Sequence, residues 1–142
     1  MAIHFLEEDR KVPVKNRKKI KELLGMVLTL EGGRIGVVNI VFCSDEYLAE
    51  VNRQFLERDY FTDVISFGGE EGGKVSGDIL ISSDRISENA RDYGTTFEDE
   101  LRRVMIHGLL HLSGYDDANE EQKGLMTGLE NRYLKLFREL ET

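Results

Sequence analysis

Apolar residues recur along this chain at two spacings, one typical of helices and the other of strands. Alternating or continuous apolar runs predict strands at residues 3–6, 34–42, 63–67 and 78–81. Apolar residues three and four apart predict helices at about 15–30, after Ser44, at about 83–93, at about 96–112 and at about 119–140. The resulting order is β-α-β-α-β-β-α-α-α, which predicts an α+β fold with a small mixed sheet of about four strands covered by about five helices.

Local signals support the limits of these elements. Ser44 and Ser83 are predicted to cap two of the helices, and the run Thr95-Thr96-Phe97-Glu98 fits a capping box. The second helix is predicted to bury an apolar stripe of Leu48, Val51 and Phe55. The third and fourth strands are predicted to form a hairpin whose connecting loop is rich in glycine: Gly68, Gly69, Gly72, Gly73 and Gly77.

Size and composition narrow the class of protein. The chain has 142 residues, 40% of them hydrophobic and 32% charged, without repeats or linkers, so a single domain over residues 1–142 is expected. Apolar runs are shorter than the roughly 18–20 residues that span a bilayer, and the start lacks the layout of a secretory signal. We therefore expect no membrane association and a cytoplasmic location. Cys43, the one cysteine, is expected to be a small buried residue.

Charge is distributed unevenly along the sequence. The formal net charge of -8 argues against a generic nucleic-acid binder. A run from Arg10 to Lys21 nevertheless contains basic residues and no acidic one. This run is either a solvated helix surface or a patch that contacts phosphates.

Candidate chemistry is concentrated in the segment HGLLHLSGYDD. His107 and His111 are four residues apart on a predicted helix and therefore share one face, where both imidazoles can bind one metal ion. Gly114 ends the helix, and Asp117 can supply a third ligand from the turn that follows. Zinc commonly takes three protein ligands and leaves a position open in catalytic sites. The alternatives are two stacked surface histidines and an Asp117 that caps the last helix.

The spacing matches the extended zincin pattern, in which a glycine and a third ligand follow two histidines. Zincin peptidases place a glutamate directly after the first histidine as general base. Gly108 occupies that position here and has no side chain to accept a proton. The sequence therefore predicts a zincin-like metal helix but argues against a peptidase.

The same segment resembles the signature of the YbeY family, the bacterial endoribonucleases of ribosomal RNA maturation. That signature reads His-Gly-x-Leu-His-Leu-x-Gly-Tyr-Asp-His and differs from this sequence only at its last position. Two further segments, TDVISF at residues 62–67 and GDILIS at 77–82, resemble strands of the family. The resemblance implies a zinc-type site, cleavage of single-stranded RNA, and ribosomal RNA and the small ribosomal subunit as partners.

Two positions depart from the family pattern. Asp117 replaces the third histidine, and its carboxylate is an acceptable zinc ligand that also suits harder ions such as manganese. The residue Asp116 matches the aspartate of the signature and is not predicted to be a ligand. Leu56 stands where the family usually carries a functional arginine, and Arg58, two residues later, is either its replacement or a surface arginine.

These observations predict a metal-dependent endoribonuclease with His107, His111 and Asp117 as ligands of one Zn²⁺ or another divalent ion. Arg58 is the candidate catalytic side chain, and Arg53, Arg58 and the basic first helix are expected to hold phosphates. Whether a metal hydroxide or the RNA 2′-hydroxyl attacks is left open. The rival hypotheses are a non-catalytic ribosome-assembly factor with a structural metal and a metallopeptidase.

Overall fold

The computed structural model describes residues 2–56 and 62–141. Within these ranges the element order is the predicted one, with strands interrupted by helices and then three helices in succession. The strands are β1 (Ala2–Glu7), β2 (Arg34–Cys43), β3 (Val64–Glu71) and β4 (Lys74–Ser82). The helices are α1 (Arg17–Leu30), α2 (Asp45–Leu56), α3 (Ser83–Tyr93), α4 (Phe97–Leu112) and α5 (Glu120–Glu141).

The four strands form one mixed sheet in the order β1-β2-β4-β3. Strands β1, β2 and β4 run parallel to one another, and β3 runs antiparallel to β4. The predicted α+β class with a mixed sheet is therefore confirmed. Strands β2 and β4 share a main hydrophobic core with α1, α4 and α5. A smaller core, formed by Cys43, Leu48 and Ile65, joins β2, α2 and β3. Cys43 is fully buried as expected, and burial raises the pKa of its thiol to about 12.

The hairpin between β3 and β4 has a shorter turn than predicted. Gly72 and Gly73 form the turn with positive φ angles of 60° and 83°. Gly68 and Gly77 instead pair with each other inside the strands. A Cβ at Gly77 would lie 2.2 Å from the carbonyl oxygen of Phe67, so glycine permits a close backbone approach at this pair.

Serine or threonine side chains cap α2, α3 and α4, as predicted, but in α3 and α4 the capping residue differs from the predicted one by one position. Ser44 caps α2 by accepting a hydrogen bond from the backbone of Tyr47, as predicted. Ser82 rather than Ser83 caps α3 by accepting from the backbone of Arg85. Thr96 rather than Thr95 caps α4, because its hydroxyl accepts from Asp99, one residue beyond the expected glutamate.

The predicted apolar stripe of α2 is wrong at its last member. Phe55 is 67% exposed, whereas Leu48 and Asn52 are buried. The buried face of α2 therefore follows the spacing of Leu48 and Asn52, and Phe55 lies beside it with its ring edge-on to Phe67. Across the described ranges, no helix is both long and apolar enough to cross a membrane.

Candidate metal centre

The centre is built on α4, whose buried side packs against the sheet. His107 and His111 lie on an adjoining side, next to residues of β3, with their rings parallel, 6.4 Å apart between centroids and inclined by 6°. His107 is partly covered, with 25% of its side chain exposed, while His111 is exposed. The prediction that the two histidines share one helix face is confirmed.

A tight turn at the end of α4 brings the chain back toward the histidines. Gly114 has a φ of 112°, and its N–H donates to the carbonyl of His111. The N–H of Tyr115 donates to the carbonyl of Leu110. This pair of bonds is the Schellman arrangement, in which glycine supplies the positive φ that reverses the chain. Gly114 therefore ends the helix, as the sequence indicates, and directs the next residues across its end.

Asp117 lies at the histidines after this turn. One of its carboxylate oxygens, Oδ2, is 3.4 Å from Nε2 of His107. Ligand atoms of His111, Asp116 and Asp117 also lie within 4.8 Å of one another. Two ligands held at about 2.1 Å by a tetrahedral ion are themselves about 3.4 Å apart. The chemistry of these imidazole and carboxylate groups suits a divalent ion. The set with all ligand atoms within 4.8 Å contains Asp116 and not His107, which approaches the set through Asp117.

The competing role of Asp117 as a helix cap does not occur. The side chain of Asn119 caps α5, with Oδ1 accepting a 2.8 Å hydrogen bond from the N–H of Gln122. The side chain of Gln122 in turn accepts from the N–H of Ala118. The carboxylate of Asp117 is thus left facing the histidines. Asp116 lies close to His111 as well, although the sequence predicts no ligand role for it.

A cleft of about 630 Å³ opens above these groups. Its walls include the residues just before and within β3, the end of α2 and the first turn of α5. Acidic side chains line it at Asp63, Asp116 and Asp117. Among the described residues of this lining, Lys123 is the one lysine or arginine. The described part of the lining is therefore acidic, and a bound divalent cation would offset that charge.

Gly108 faces the sheet rather than the cleft. A Cβ at this position would lie 2.6 Å from Cγ2 of Ile79, a fully buried side chain of β4. The carbonyl of Gly108 also accepts a hydrogen bond from the hydroxyl of Ser66 on β3. Any side chain here would have to displace Ile79, and this is a packing reason for the absence of a zincin-type glutamate.

The structure adds a carboxylate that the sequence analysis missed. Glu130 of α5 is buried and lies 2.7 Å from Nδ1 of His107. Arg103 binds the other oxygen of Glu130 at 3.1 Å and also donates to Asn131. Burial of His107 opposes its protonation, but the hydrogen bond to Glu130 and the nearby carboxylates outweigh burial and raise its pKa. The available signal was a glutamate within the apolar stripe that runs from Met126 to Phe137.

A smaller cavity of about 190 Å³ lies behind His107. Asp63 and Glu100 line it, and desolvation by burial is the main cause that raises the pKa of each. Asn89 donates to Asp63 over 3.4 Å. These groups extend the carboxylate environment of His107 toward α3, and the sequence analysis did not single them out.

The described arginines and lysines that were predicted to hold phosphates do not line the cleft. Arg58 lies outside the described residues, and Leu56 lines the cleft. Arg53 forms an exposed ion pair with Glu50 of the same helix. Lys15, in the basic run, is 3.6 Å from Glu98, nine residues before His107 and so about 13 Å away along α4. Other members of the run contact Asp84 of α3 and Phe5 of β1, and no residue of the run lines the described part of the cleft.

Comparison with known proteins adds to this geometry. The family model described as Endoribonuclease YbeY matches residues 2–138. The chain belongs to the YbeY family. The endoribonuclease YbeY of Cytophaga hutchinsonii is 44% identical over 136 residues and 95% of each chain. That of Parabacteroides distasonis is 40% identical over 139 residues and 98% of each chain.

A solved structure has the same fold. The solution structure of TM1509 from Thermotoga maritima superposes with a TM-score of 0.65 at 32% identity, covering 96% of this chain and 89% of that one. The predicted family and the predicted RNA-cleaving enzyme class are confirmed by membership in YbeY. This membership does not favour the metallopeptidase or the non-catalytic assembly factor.

Proposed function

We propose that this YbeY member is a metal-dependent endoribonuclease that binds one divalent ion, Zn²⁺ or a harder ion such as Mn²⁺, through His107, His111 and Asp117. The observation that carries the proposal is the approach of Asp117 Oδ2 to His107 Nε2, at 3.4 Å, on the helix face that also holds His111. A mixed imidazole and carboxylate set suits zinc, and its carboxylate also suits manganese.

The substrate is single-stranded RNA, and we propose ribosomal RNA of the small subunit, processed in the cytoplasm. The cleft of about 630 Å³ has the size of a small-molecule pocket, so unpaired nucleotides can enter it more easily than a duplex. The ribosomal partner rests on the resemblance of the signature at residues 107–117 to the family. Arg58 remains a proposed catalytic contact.

The residues of the cleft are proposed to bind either the metal ion or a phosphate group of the RNA. When bound, a divalent ion supplies Lewis-acid chemistry at the scissile phosphate and an acidified water. Gly108 contributes no proton acceptor, because the sheet fills the space beside it. His107, His111 and Asp117 would hold the ion, and Lys123, which lines the same cleft, would attract a phosphate group.

Removal of metal tests this function directly. Protein stripped of metal by a chelator is expected to lose cleavage of a single-stranded RNA and to regain it when Zn²⁺ or Mn²⁺ is added back. A duplex of the same sequence is expected to be cut much more slowly. The measurement is the rate of cleavage of an end-labelled RNA, with metal content determined by elemental analysis. Equal cleavage by stripped and reloaded protein would contradict the proposal.

Replacement of Lys123 with glutamine is expected to weaken RNA binding without changing metal content. Lys123 lies in the first turn of α5, where the helix dipole disfavours a cation, so helix stability does not explain its presence. Loss of one phosphate contact should reduce the slope of log affinity against log salt by about 0.7.

The matched control is Lys135→Gln, an exposed lysine on the same helix that does not line the cleft. Binding of a fluorescent single-stranded RNA at several salt concentrations measures both variants. If Lys123→Gln keeps the wild-type slope, Lys123 does not contact RNA phosphates.

A further inference from the structure

A chain of polar contacts, exposed at Asn131 and buried at Glu130, leads from α5 to the histidine of the centre. Glu130 has 9% of its side chain exposed, and both of its oxygens are engaged. Oε2 lies 2.7 Å from Nδ1 of His107, and Oε1 accepts from Arg103 at 3.1 Å. Arg103 is itself held by the side chain of Asn131 at 2.6 Å. Each member of the chain therefore fixes the next one.

We propose that Glu130 is a positioning residue that holds His107 with Nδ1 protonated and Nε2 directed at the metal position, and that Arg103 holds Glu130 in place. This inference rests on the proposed function, because it assumes that His107 is a ligand. A neutral imidazole can protonate either ring nitrogen, and a carboxylate that accepts from one of them leaves the other free to bind metal. The free nitrogen is the one that faces Asp117.

The burial of Glu130 favours this role over a general contribution to stability. A buried ion pair gains little net stability, because desolvation of both charges offsets their attraction. Glu130 stands in line with Met126, Tyr133 and Phe137 on the buried side of α5, where an apolar residue would pack without that cost. Its contact with His107 supplies a reason for a carboxylate at this position.

A second ion pair between the same two helices provides the comparison. Arg102 of α4 and Glu141 of α5 form a two-contact pair whose side chains are 13% and 19% exposed. Neither residue contacts a histidine in the described part of the chain. If Glu130 merely joined α4 to α5, its replacement would resemble that of Glu141. If Glu130 positions His107, only its replacement should affect the metal.

The experiment compares Glu130→Gln with Glu141→Gln. Zinc affinity is measured by competition with a chromophoric chelator, and the free energy of unfolding of the metal-free proteins by urea denaturation. Glu130→Gln is expected to weaken zinc binding by about 10–100-fold, the usual effect of losing such a partner. Glu141→Gln is expected to stay within about twofold of wild type in zinc affinity, whatever its effect on unfolding.

The tautomer of His107 gives a readout that needs neither metal nor activity. In ¹⁵N-labelled, metal-free protein at a pH where the ring is neutral, long-range correlation spectra should report the Nδ1-protonated form in wild type and in Glu141→Gln. Glu130→Gln should show a mixture of the two tautomers. If Glu130→Gln does not fold, Glu130→Asp, which keeps the charge but shortens the reach, is expected to weaken zinc binding by a smaller factor.

The outcomes separate this inference from the proposed function. Wild-type protein that binds no metal but has Nδ1-protonated His107 would overturn the proposed ligands and leave the positioning by Glu130 intact. Wild-type zinc affinity and an unchanged tautomer in Glu130→Gln would overturn the positioning role and leave the metal centre intact.

Discussion

Replacement of His111 with alanine is expected to remove the bound metal and to lower RNA cleavage more than a hundredfold. Loss of a partner behind a ligand already costs about 10–100-fold, and loss of the ligand itself should cost more. Of the two histidines, His111 is the better target. It is exposed, and among the described residues its ring stacks on His107, which itself contacts the buried Glu130. In the metal-free proteins, its removal should therefore change the free energy of unfolding by no more than about 0.5 kcal/mol.

The remaining histidine of the chain provides the control. His4 is exposed on β1, an edge strand of the sheet. His4→Ala is expected to keep wild-type metal content, cleavage rate and stability. Elemental analysis, cleavage of a labelled single-stranded RNA and urea denaturation measure the two variants side by side. A His111→Ala protein that is folded, fully loaded with metal and active would refute the ligand assignment.

Replacement of Gly108 is expected to destabilise the fold rather than to create a peptidase. A Cβ there meets the branched, buried side chain of Ile79 at 2.6 Å, and overpacking of this kind costs about 1–3 kcal/mol. Alanine in place of a helical glycine otherwise gains about 1 kcal/mol, so Gly108→Ala should be destabilised by up to about 2 kcal/mol. Gly108→Glu should fail to fold at 37 °C, because its larger side chain has no space between α4 and β4.

A glycine in the last helix supplies the matched control for this prediction. Gly128 of α5 is exposed and would place its Cβ in open space. Gly128→Ala should therefore stabilise the protein by up to about 1 kcal/mol. In an Ile79→Ala background, which removes the contacted methyl, the cost of Gly108→Ala should shrink. Urea denaturation curves compare the wild type with the four variants Gly108→Ala, Gly128→Ala, Ile79→Ala and the Ile79→Ala/Gly108→Ala double variant. A Gly108→Ala protein as stable as Gly128→Ala would show that the helix and sheet can separate without cost.

Features that depend on residues close together in the sequence could be predicted. The alternation and helical spacing of apolar residues gave the right element order, since these periods reflect which side of an element is buried. The shared face of His107 and His111 follows from the pitch of a helix alone. The caps of α3 and α4 were predicted one residue away from the observed Ser82 and Thr96. At both helix starts two adjacent hydroxyl-bearing residues fit a cap, and their spacing does not choose between them.

Features that depend on packing between distant segments could not be predicted. In the sequence, Gly108 indicates only that a catalytic base is absent, whereas the structure places Ile79 of β4 against it. Glu130 is 23 residues from His107, and only the packing of α5 on α4 brings the two together. The exposure of Phe55 likewise follows from how α2 is rotated on the sheet, which the spacing of its apolar residues did not fix.

The turn that carries Asp117 is held at several points. Tyr115, two residues before Asp117, donates its hydroxyl to Glu31 at the end of α1, and Tyr133 of α5 donates to the same carboxylate. The paired backbone bonds at Gly114 fix one end of the turn, and the cap at Asn119 fixes the other. Little conformational entropy remains for an incoming ion to remove. The rates of metal binding and release should therefore be set by dehydration of the ion and exchange of its ligands, because the backbone of the turn need not reorder at each event.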